Sequence, residues 1–192
     1  MKNKDAKTKQ LVLTAMLSAV AYVVMVLIHL RLVPAAPFLT YDPKDAIIVI
    51  GGFIFGPIEA LLISLIVSFI EMITISDTGI IGFIMQVIAT LAFAGTASVI
   101  YRKKHTRNGA VIGLIIGTIC MTAVMLLWNY ILSPIYMNAP RSEIVKLLIP
   151  AILPFNFFKG LLNSAIAFLI YKPVVTALRK SGLVPMSKDS MK

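Results

Sequence analysis

The sequence predicts an all-α integral membrane protein with six transmembrane helices and both termini in the cytoplasm. Its composition is the first observation: 59% of the 192 residues are hydrophobic and 14% are charged, whereas an ordinary soluble domain is about 25% charged. Several stretches of about 20 residues, such as 80–101 and 110–132, pass almost without charge, and this length spans a hydrocarbon core. The third observation is that the basic residues cluster between such stretches.

The basic residues give the predicted orientation. Thirteen of the 18 lysines and arginines lie in the N-terminal segment, in residues 102–107 and in the C-terminal segment 172–192. Because cytoplasmic segments of membrane proteins carry an excess of Lys and Arg, all three clusters are assigned to the cytoplasm. The predicted outer segments carry four basic residues, which are Arg31, Lys44, Arg141 and Lys146. Membrane topology thus explains the net charge of +10, and nucleic acid is not expected as a partner.

The cytoplasmic clusters on either side of residues 11–101 require an even number of membrane crossings between them. The apolar stretch 45–75 could form one tilted span, but that would give three crossings. A break at Gly56-Pro57, where proline removes a helix donor and glycine permits a turn, gives four crossings. The sequence therefore predicts a helix break there, with Glu59 on the cytoplasmic side.

The six helices are expected at about 11–30, 45–55, 58–75, 80–101, 109–132 and 152–174. Helix 2 is short for a full span at about 1.5 Å per residue. The prediction is a single membrane domain. In it, residues 1–10 form a basic cytoplasmic N-terminus, 11–174 the six-helix bundle and 175–192 a basic cytoplasmic tail. A long outer loop is expected at 133–150, between the last two helices.

No enzyme motif is present in the sequence. It lacks the Gly-x-x-x-x-Gly-Lys-Ser/Thr nucleotide loop, the His-Glu-x-x-His zinc motif and the Gly-x-Ser-x-Gly hydrolase motif. Its two histidines, His29 and His105, are assigned to opposite faces of the membrane, and Cys120 is alone in an apolar stretch. We therefore predict no catalytic residue, no metal ligand and no resident cofactor, and active uptake of a solute would need separate ATPase subunits.

Polar residues inside apolar stretches indicate a ligand site in the outer half of the bundle. Ionisable side chains at mid-helix cost about 2.5–3.5 kcal/mol on insertion scales, so they need partners or a ligand. Glu71 and Asn129 lie about one turn from the outer ends of helices 3 and 5. Asn156, Lys159 and Asn163 have i, i+3, i+7 spacing, which places them on one helix face. These side chains are expected to converge, although each alone could serve only to join helices by hydrogen bonds.

This set of side chains suits a small organic ligand rather than an ion. A lysine, a glutamate and several amides among apolar neighbours fit a flat apolar body with hydrogen-bonding edges, whereas an ion path needs acidic groups through the full thickness of the membrane. The outer loop 37–42 lies directly above this region and is expected to cover it. Depth and position add Tyr41, Gly79 and Gly82 to Glu71 as candidate ligand contacts.

Two patterns of small residues permit close packing of helices. Ala15 and Ala19 form one of them on helix 1. Gly109, Gly113 and Gly117 form the other on helix 5. Within one chain, either pattern can serve internal packing or face a partner.

Four of these segments together resemble the riboflavin-specific S components of energy-coupling factor (ECF) transporters. They are Ala15-Met-Leu-Ser-Ala19, Phe38-Leu-Thr-Tyr-Asp42 followed by Asp45, Gly51-Gly-Phe-Ile-Phe-Gly-Pro57, and Asn156-Phe-Phe-Lys159, and the resemblance covers nearly the whole chain. The resemblance implies a multi-pass, substrate-capture subunit of a prokaryotic-type cell membrane that has no catalytic activity. It also implies that the first outer loop gates the ligand site.

The resemblance further implies that the riboflavin contacts include Leu39, Thr40, Asn129, Asn156 and Lys159. It implies that Ala15 and Ala19 face a transmembrane coupling subunit, which works with two ATPase subunits. The alternatives are an S component for another vitamin, a solitary facilitator that acts as a homodimer, and an intramembrane enzyme for lipid or isoprenoid substrates.

Overall fold

The computed structural model describes residues 2–34, 36 and 38–184. Its elements are α1 (Lys2–Leu27), β1 (Leu30–Arg31), β2 (Thr40–Tyr41), α2 (Lys44–Phe55), α3 (Pro57–Thr74), α4 (Gly79–Thr90), α5 (Thr96–Lys104), α6 (Arg107–Tyr136), α7 (Arg141–Leu147) and α8 (Leu153–Lys180). Turns of π-helix join α4 to α5 at Leu91–Gly95 and α7 to α8 at Leu148–Ile152. Residue 37 of the predicted covering loop and residues 185–192 of the predicted tail lie outside the described residues.

Five helical segments of the described chain are long and apolar enough to cross a membrane. They are Lys7–Leu27, Pro57–Thr74, Gly79–Lys104, Arg107–Ile135 and Arg141–Lys180. Large apolar side chains such as Leu11, Ile119 and Leu169 are exposed on them, as a surface in contact with lipid requires. The all-helical membrane protein predicted from composition is therefore confirmed, and α2, with 12 residues, is shorter than these five segments.

The helix break predicted at Gly56-Pro57 is present. Gly56 has a φ of 106° between the end of α2 at Phe55 and the start of α3 at Pro57. Glycine adopts this left-handed backbone without the strain that a Cβ would cause. Proline fits the first turn of a helix because no intrahelical hydrogen-bond donor is needed there. As a result, α2 and α3 are separate helices that pack against each other.

The β1–β2 hairpin marks one end of the bundle, which we call the hairpin end. Arg31 Nη2 lies 2.7 Å from Asp77 Oδ2 in the turn that precedes α4. Leu39, next to β2, packs in a small apolar cluster with Ile152, which precedes α8. The connections between α1 and α2, between α3 and α4, and between α6 and α8 therefore lie at the same end, as the predicted order of crossings requires.

The opposite end of the bundle contains the break at Gly56. Gln10 Nε2 of α1 lies 2.7 Å from Glu59 Oε2 of α3, and the hydroxyl groups of Tyr101 in α5 and Tyr171 in α8 lie 3.0 Å apart. These contacts bring the lysine-rich start of α1, the basic turn between α5 and α6 and the basic end of α8 to one end of the molecule.

Glycine allows α6 to approach the preceding helix very closely. A Cβ at Gly113 would lie 2.8 Å from the carbonyl oxygen of Ala97, and one at Gly117 would lie 2.5 Å from that of Phe93. Both distances are shorter than a carbon and an oxygen can approach without a bond, so a larger residue would push the two helices apart. This glycine pattern therefore serves internal packing of the chain.

The first and last helices extend beyond the predicted apolar spans into the basic end segments. α1 begins at Lys2, and α8 continues through Pro173 to Lys180, six residues beyond the predicted end. Lysine, arginine, glutamine and alanine have high helix propensity, so these polar stretches continue the helices beyond their apolar parts. At its other end, α1 stops at Leu27, before the predicted residue 30, because β1 begins at Leu30.

The prediction of a long loop at 133–150 is wrong. α6 continues to Tyr136 with Pro134 inside it, and α7 occupies Arg141–Leu147. Proline near the end of a helix removes one hydrogen bond and does not have to end the helix. The connection between α6 and α7 is therefore reduced to residues 137–140.

Candidate ligand-binding site

A cavity lies inside the bundle at the hairpin end. Its walls come from the hairpin, α3, the turn before α4, α4, α6 and α8. Seven of the nine predicted ligand contacts line it, and these are Leu39, Thr40, Glu71, Gly82, Asn129, Asn156 and Lys159. Four of the five polar side chains that were predicted to converge, those of Glu71, Asn129, Asn156 and Lys159, thus share one cavity.

Tyr41 and Gly79, the other two predicted contacts, do not line this cavity. Tyr41 is buried and lines a separate apolar recess with Phe158 and Leu162. Successive residues of a strand point to opposite sides, so Tyr41 points away from the cavity when Thr40 points towards it. Gly79 begins α4 with a φ of 55°, and a Cβ there would contact nothing within 4 Å. Its role is therefore conformational, at the start of a helix.

Apolar side chains with soft or flat surfaces supply much of the remaining wall. They are Met72, Met85, Met121, Met125, Phe38, Phe83 and Phe155. Methionine side chains adapt to irregular shapes and make favourable contacts with aromatic rings, and phenylalanine rings can stack on such rings. Phe38 belongs to the predicted covering loop, but the other six were not predicted from the sequence, because a buried Met or Phe in an apolar helix carries no signal that separates a ligand contact from ordinary packing.

Gln86 and Ser68 are polar cavity residues that sequence analysis missed. Gln86 Nε2 lies 3.4 Å from Glu71 Oε1. Ser68 Oγ is buried and has no hydrogen-bond partner among the described residues. Both are polar residues within apolar stretches, which is the same signal that predicts Asn129 as a site residue.

The two cavity asparagines are held by their own helices. Asn129 Nδ2 donates to the Met125 carbonyl oxygen at 2.8 Å, and Asn129 Oδ1 accepts from Ser133 Oγ at 2.9 Å. Asn156 Nδ2 donates to the Ile152 carbonyl oxygen at 2.8 Å. Such bonds to the residue four positions earlier fix the side chain. The remaining amide oxygen of Asn156 receives no hydrogen bond from a described residue, so a donor group of a ligand could bond to it.

Lys159 joins α8 to the loop that follows the hairpin. Its Nζ lies 2.9 Å from Asp42 Oδ2 and 3.3 Å from the Thr40 carbonyl oxygen. An ammonium group has three donors, so one remains for a ligand. Asn163, one turn further along α8, does not line the cavity. Its Nδ2 donates to the carbonyl oxygens of Asp42 and Lys159 at 3.2 and 3.1 Å, which assigns it to structural support of the same loop.

Lys44 forms a second ion pair behind the cavity wall. Sequence analysis placed it among the basic residues of an outer loop, but the structure buries it completely. Lys44 is the first residue of α2, and its Nζ pairs with the carboxylate of Glu71 and lies 3.9 Å from Asp42 Oδ2. The reason is electrostatic, because a buried carboxylate such as Glu71 requires a counter-charge.

Asp42 lies between the two lysines. Its Oδ1 accepts from the backbone N–H of Lys44 at 3.3 Å, and its Oδ2 is the partner of Lys159. Burial alone would raise the pKa of Asp42, but the ammonium groups of Lys159 and Lys44 outweigh it and hold the pKa below its usual value. The carboxylate is therefore charged at neutral pH, and it anchors the loop to α8 and to the start of α2.

The hairpin is attached at its other edge by a surface ion pair. The side chains of Arg31 and Asp77, which lie 2.7 Å apart, are 57% and 78% exposed. Exposed pairs contribute about 0–1 kcal/mol, whereas removing one partner of a buried pair costs about 3–5 kcal/mol because the other charge is left without compensation. The two edges of the hairpin are thus attached by contacts of different kinds, one exposed and one buried.

The predicted partner-facing residues Ala15 and Ala19 lie on an exposed face of α1. The buried face of the same helix carries Leu13 and Leu17. The alanines therefore make no part of the internal core, and the face that they share is open to lipid or to another protein.

Comparison with known proteins identifies the family. Residues 9–171 match the family described as "ECF transporter, substrate-specific component". The chain belongs to this family. It is therefore the S component of an ECF transporter, a multi-pass membrane subunit, as the resemblance of the sequence segments implied.

Relatives of this S component match it over nearly their whole length. The riboflavin transporter RibU of Staphylococcus aureus (strain TCH60) is 29% identical over 181 residues, which cover 91% of this chain and 94% of the relative. RibU of Streptococcus thermophilus (strain ATCC BAA-250 / LMG 18311) is 30% identical over 183 residues, with coverage of 90% and 86%. The riboflavin transporter FmnP of Bacillus subtilis (strain 168) is 29% identical over 189 residues, with coverage of 92% and 99%.

A solved structure shares the fold of this S component. It is described as "Structure and mechanism of the S component of a bacterial ECF transporter". The two structures superpose with a TM-score of 0.77 at 30% sequence identity, and the match covers 90% of this chain and 98% of the solved one. The family assignment therefore rests on fold as well as on sequence.

Proposed function

We propose that this S component captures riboflavin from outside the cell in the cavity at the hairpin end and delivers it inward. The observation that carries the proposal is the convergence of Thr40, Asn129, Asn156 and Lys159 on a cavity whose other walls are rich in methionine and phenylalanine. Three relatives of similar length are named as riboflavin transporters, which supports the same ligand.

The chemistry of the cavity walls fits the chemistry of riboflavin. A flat ring system needs apolar or aromatic faces, and its carbonyl and N–H edges need donors and acceptors. Lys159 has a donor left for a carbonyl edge, and Asn156 has an acceptor left for an N–H edge. Glu71, Gln86 and Ser68 offer polar atoms for the ribityl hydroxyl groups, and Leu39 and Gly82 contribute wall surface.

The proposed topology has six crossings of the cell membrane, with α2 as a short crossing, and a single membrane domain. Both termini lie in the cytoplasm, and the hairpin lies outside as a gate over the cavity. Support comes from the excess of basic residues at the end that contains Gly56 and from the contacts that group the predicted outer segments at the hairpin end.

Active transport requires partners, since the sequence has no nucleotide-binding loop. We propose a transmembrane coupling subunit and two ATPase subunits, with the Ala15 and Ala19 face of α1 as the contact with the coupling subunit. Small side chains let helices in a membrane approach closely, and these two are exposed.

Replacing both Ala15 and Ala19 by leucine is expected to abolish ATP-driven riboflavin uptake and to leave riboflavin binding unchanged. The larger side chains would hold a partner helix away from α1, while the cavity lies at the other end of the bundle. Uptake in cells that express the coupling subunit and ATPases, and binding by purified protein in detergent, are the two measurements.

The matched control replaces Ala123 and Ala165, two exposed alanines of α6 and α8, by leucine. This control should keep both uptake and binding. Loss of binding in the Ala15 and Ala19 variant would show that this face supports the core of the chain, and loss of uptake in the control variant would remove the argument for a specific partner face.

The ligand assignment is tested by colour and by displacement. Protein purified after addition of riboflavin should be yellow, carry flavin absorbance in a one-to-one ratio and keep its flavin in an excess of thiamine or biotin. Asn156→Leu should bind less flavin, whereas Asn108→Leu, at an exposed position of α6, should bind as the parent does. A colourless protein that binds thiamine or biotin would assign another vitamin, and binding that survives Asn156→Leu unchanged would move the site elsewhere.

A further inference from the structure

The buried ionic residues at the hairpin end contain one more carboxyl group than cations. We define the buried charge cluster as Asp42, Lys44, Asp45, Glu71 and Lys159, whose exposed fractions are 7% or less. Three of these residues are acids and two are lysines. If all five were ionised, the cluster would carry a net charge of −1 inside the protein.

A net charge in this place would be costly. The penalty for an ion that is buried without compensation is several kcal/mol. The N-terminus of α2, where Asp45 lies, contributes a partial charge of about +0.5, which is less than the charge to be neutralised. The pair of Arg31 and Asp77 nearby is exposed and already neutral. Among the described residues, no further lysine or arginine is buried at this end.

Asp45 is the carboxyl group of the cluster without a cation. Asp42 is paired with Lys159, and Glu71 is paired with Lys44. Asp45 makes no ion pair with any residue that the structure describes. Its polar contact is a hydrogen bond of 2.7 Å in which Thr90 Oγ1 donates to Asp45 Oδ1, and this bond is compatible with a neutral acid or a carboxylate.

Asn163, which supports the same loop, has an acceptor without a donor. Its Nδ2 donates to the carbonyl oxygens of Asp42 and Lys159, but its Oδ1 is buried and accepts no hydrogen bond within the described chain. A protonated carboxyl group donates one hydrogen bond, whereas a carboxylate only accepts. A proton on Asp45 would therefore neutralise the cluster and give it a hydrogen-bond donor.

We propose that Asp45 is a proton-binding site, which holds a proton at neutral pH and so keeps the buried charge cluster neutral. The groups that act on it are Asp42, Lys44 and Lys159, with Thr90 as its hydrogen-bond donor and Glu71 beyond Lys44. Because an aspartate of the unfolded chain loses its proton at about pH 4, the free energy of unfolding falls as the pH rises from there to the pH at which Asp45 loses its proton in the folded protein. This proposal does not depend on riboflavin as the ligand.

Isotope-edited infrared spectroscopy of the full-length protein in detergent tests the proposal. Aspartate labelled with carbon-13 in its side-chain carboxyl group should shift a carbonyl band of a protonated carboxylic acid at neutral pH, and Asp45→Asn should remove that band. Glu59→Gln is the matched control, since Glu59 is also buried and is hydrogen-bonded by Gln10 and Thr14 at the other end of the bundle. This control should leave the labelled band unchanged.

Thermal unfolding gives a second readout. Asp45→Asn, an uncharged replacement for an uncharged acid, should lose the fall in stability that the parent shows between about pH 4 and the pH at which Asp45 is deprotonated. The proposal is overturned if the labelled band is absent from the parent or persists in Asp45→Asn. It is equally overturned if sodium stabilises the parent in the absence of a protonated carboxyl band, because a sodium ion would then be the missing cation. Absence of the band from the parent overturns the proposal even if the variant fails to fold.

Discussion

Replacing Lys159 by methionine is expected to lower riboflavin affinity about tenfold to a hundredfold, because a hydrogen bond from a charged donor contributes about 1.5–3 kcal/mol. Methionine keeps most of the side-chain volume, so the change removes the ammonium group with little loss of packing. Quenching of riboflavin fluorescence by purified protein measures the affinity. Lys172→Met, at an exposed position of the same helix, should have no effect.

The Lys159 variant also leaves Asp42 without its nearest cation, so a second variant separates the two roles of this lysine. Combining Lys159→Met with Asp42→Asn replaces the buried pair by uncharged groups and should recover the thermal stability. Its riboflavin affinity should stay low if the ammonium group contacts the ligand. Full recovery of affinity in the double variant would mean that Lys159 acts only by anchoring the loop.

Replacing Lys44 by methionine is expected to destabilise the protein by about 3–5 kcal/mol, since the buried carboxylate of Glu71 would lose its cation. For a chain of this length, the melting temperature should fall by about 10 °C or more. Thermal unfolding of the detergent-solubilised protein, followed by circular dichroism, measures the change.

Restoring neutrality should reverse most of this loss. In the double variant with Lys44→Met and Glu71→Gln, neither residue of the former pair is charged, so no buried charge is left without a partner. Its melting temperature should be close to that of the parent. The control variant Lys146→Met, which changes an exposed lysine of α7, should have the melting temperature of the parent. Lys44 Nζ also lies 3.6 Å from Met25 Sδ. If the double variant is as unstable as Lys44→Met, the destabilisation comes from the loss of such contacts of the Lys44 side chain and not from the carboxylate.

The features that could be predicted from the sequence depend on local signals. Apolar stretches and basic clusters indicate membrane helices through the transfer free energies of their side chains. Gly56-Pro57 marks a break because of the backbone chemistry of those two residues. Polar residues within apolar stretches, such as Asn129, Asn156 and Lys159, indicate a common site because a membrane interior penalises each of them.

The features that could not be predicted depend on which side chains meet in the folded chain. The sequence shows that Lys159 needs a partner, but Glu71 and Asp42 were both available, and the choice is made by the packing of α2, α3 and α8. Lys44 borders the apolar stretch and has the sequence context of a surface residue, although it is buried against Glu71. Tyr41 has the position of a cavity residue, but the alternation of the strand directs it away from the cavity.

The two edges of the hairpin should respond differently to the surrounding solution. Its α8 edge is held by the buried contact of Asp42 with Lys159, and its α4 edge by the exposed contact of Arg31 with Asp77. Salt screens exposed charges much more than buried ones. Raising the salt concentration should therefore weaken the contact at the α4 edge and leave the contact at the α8 edge in place.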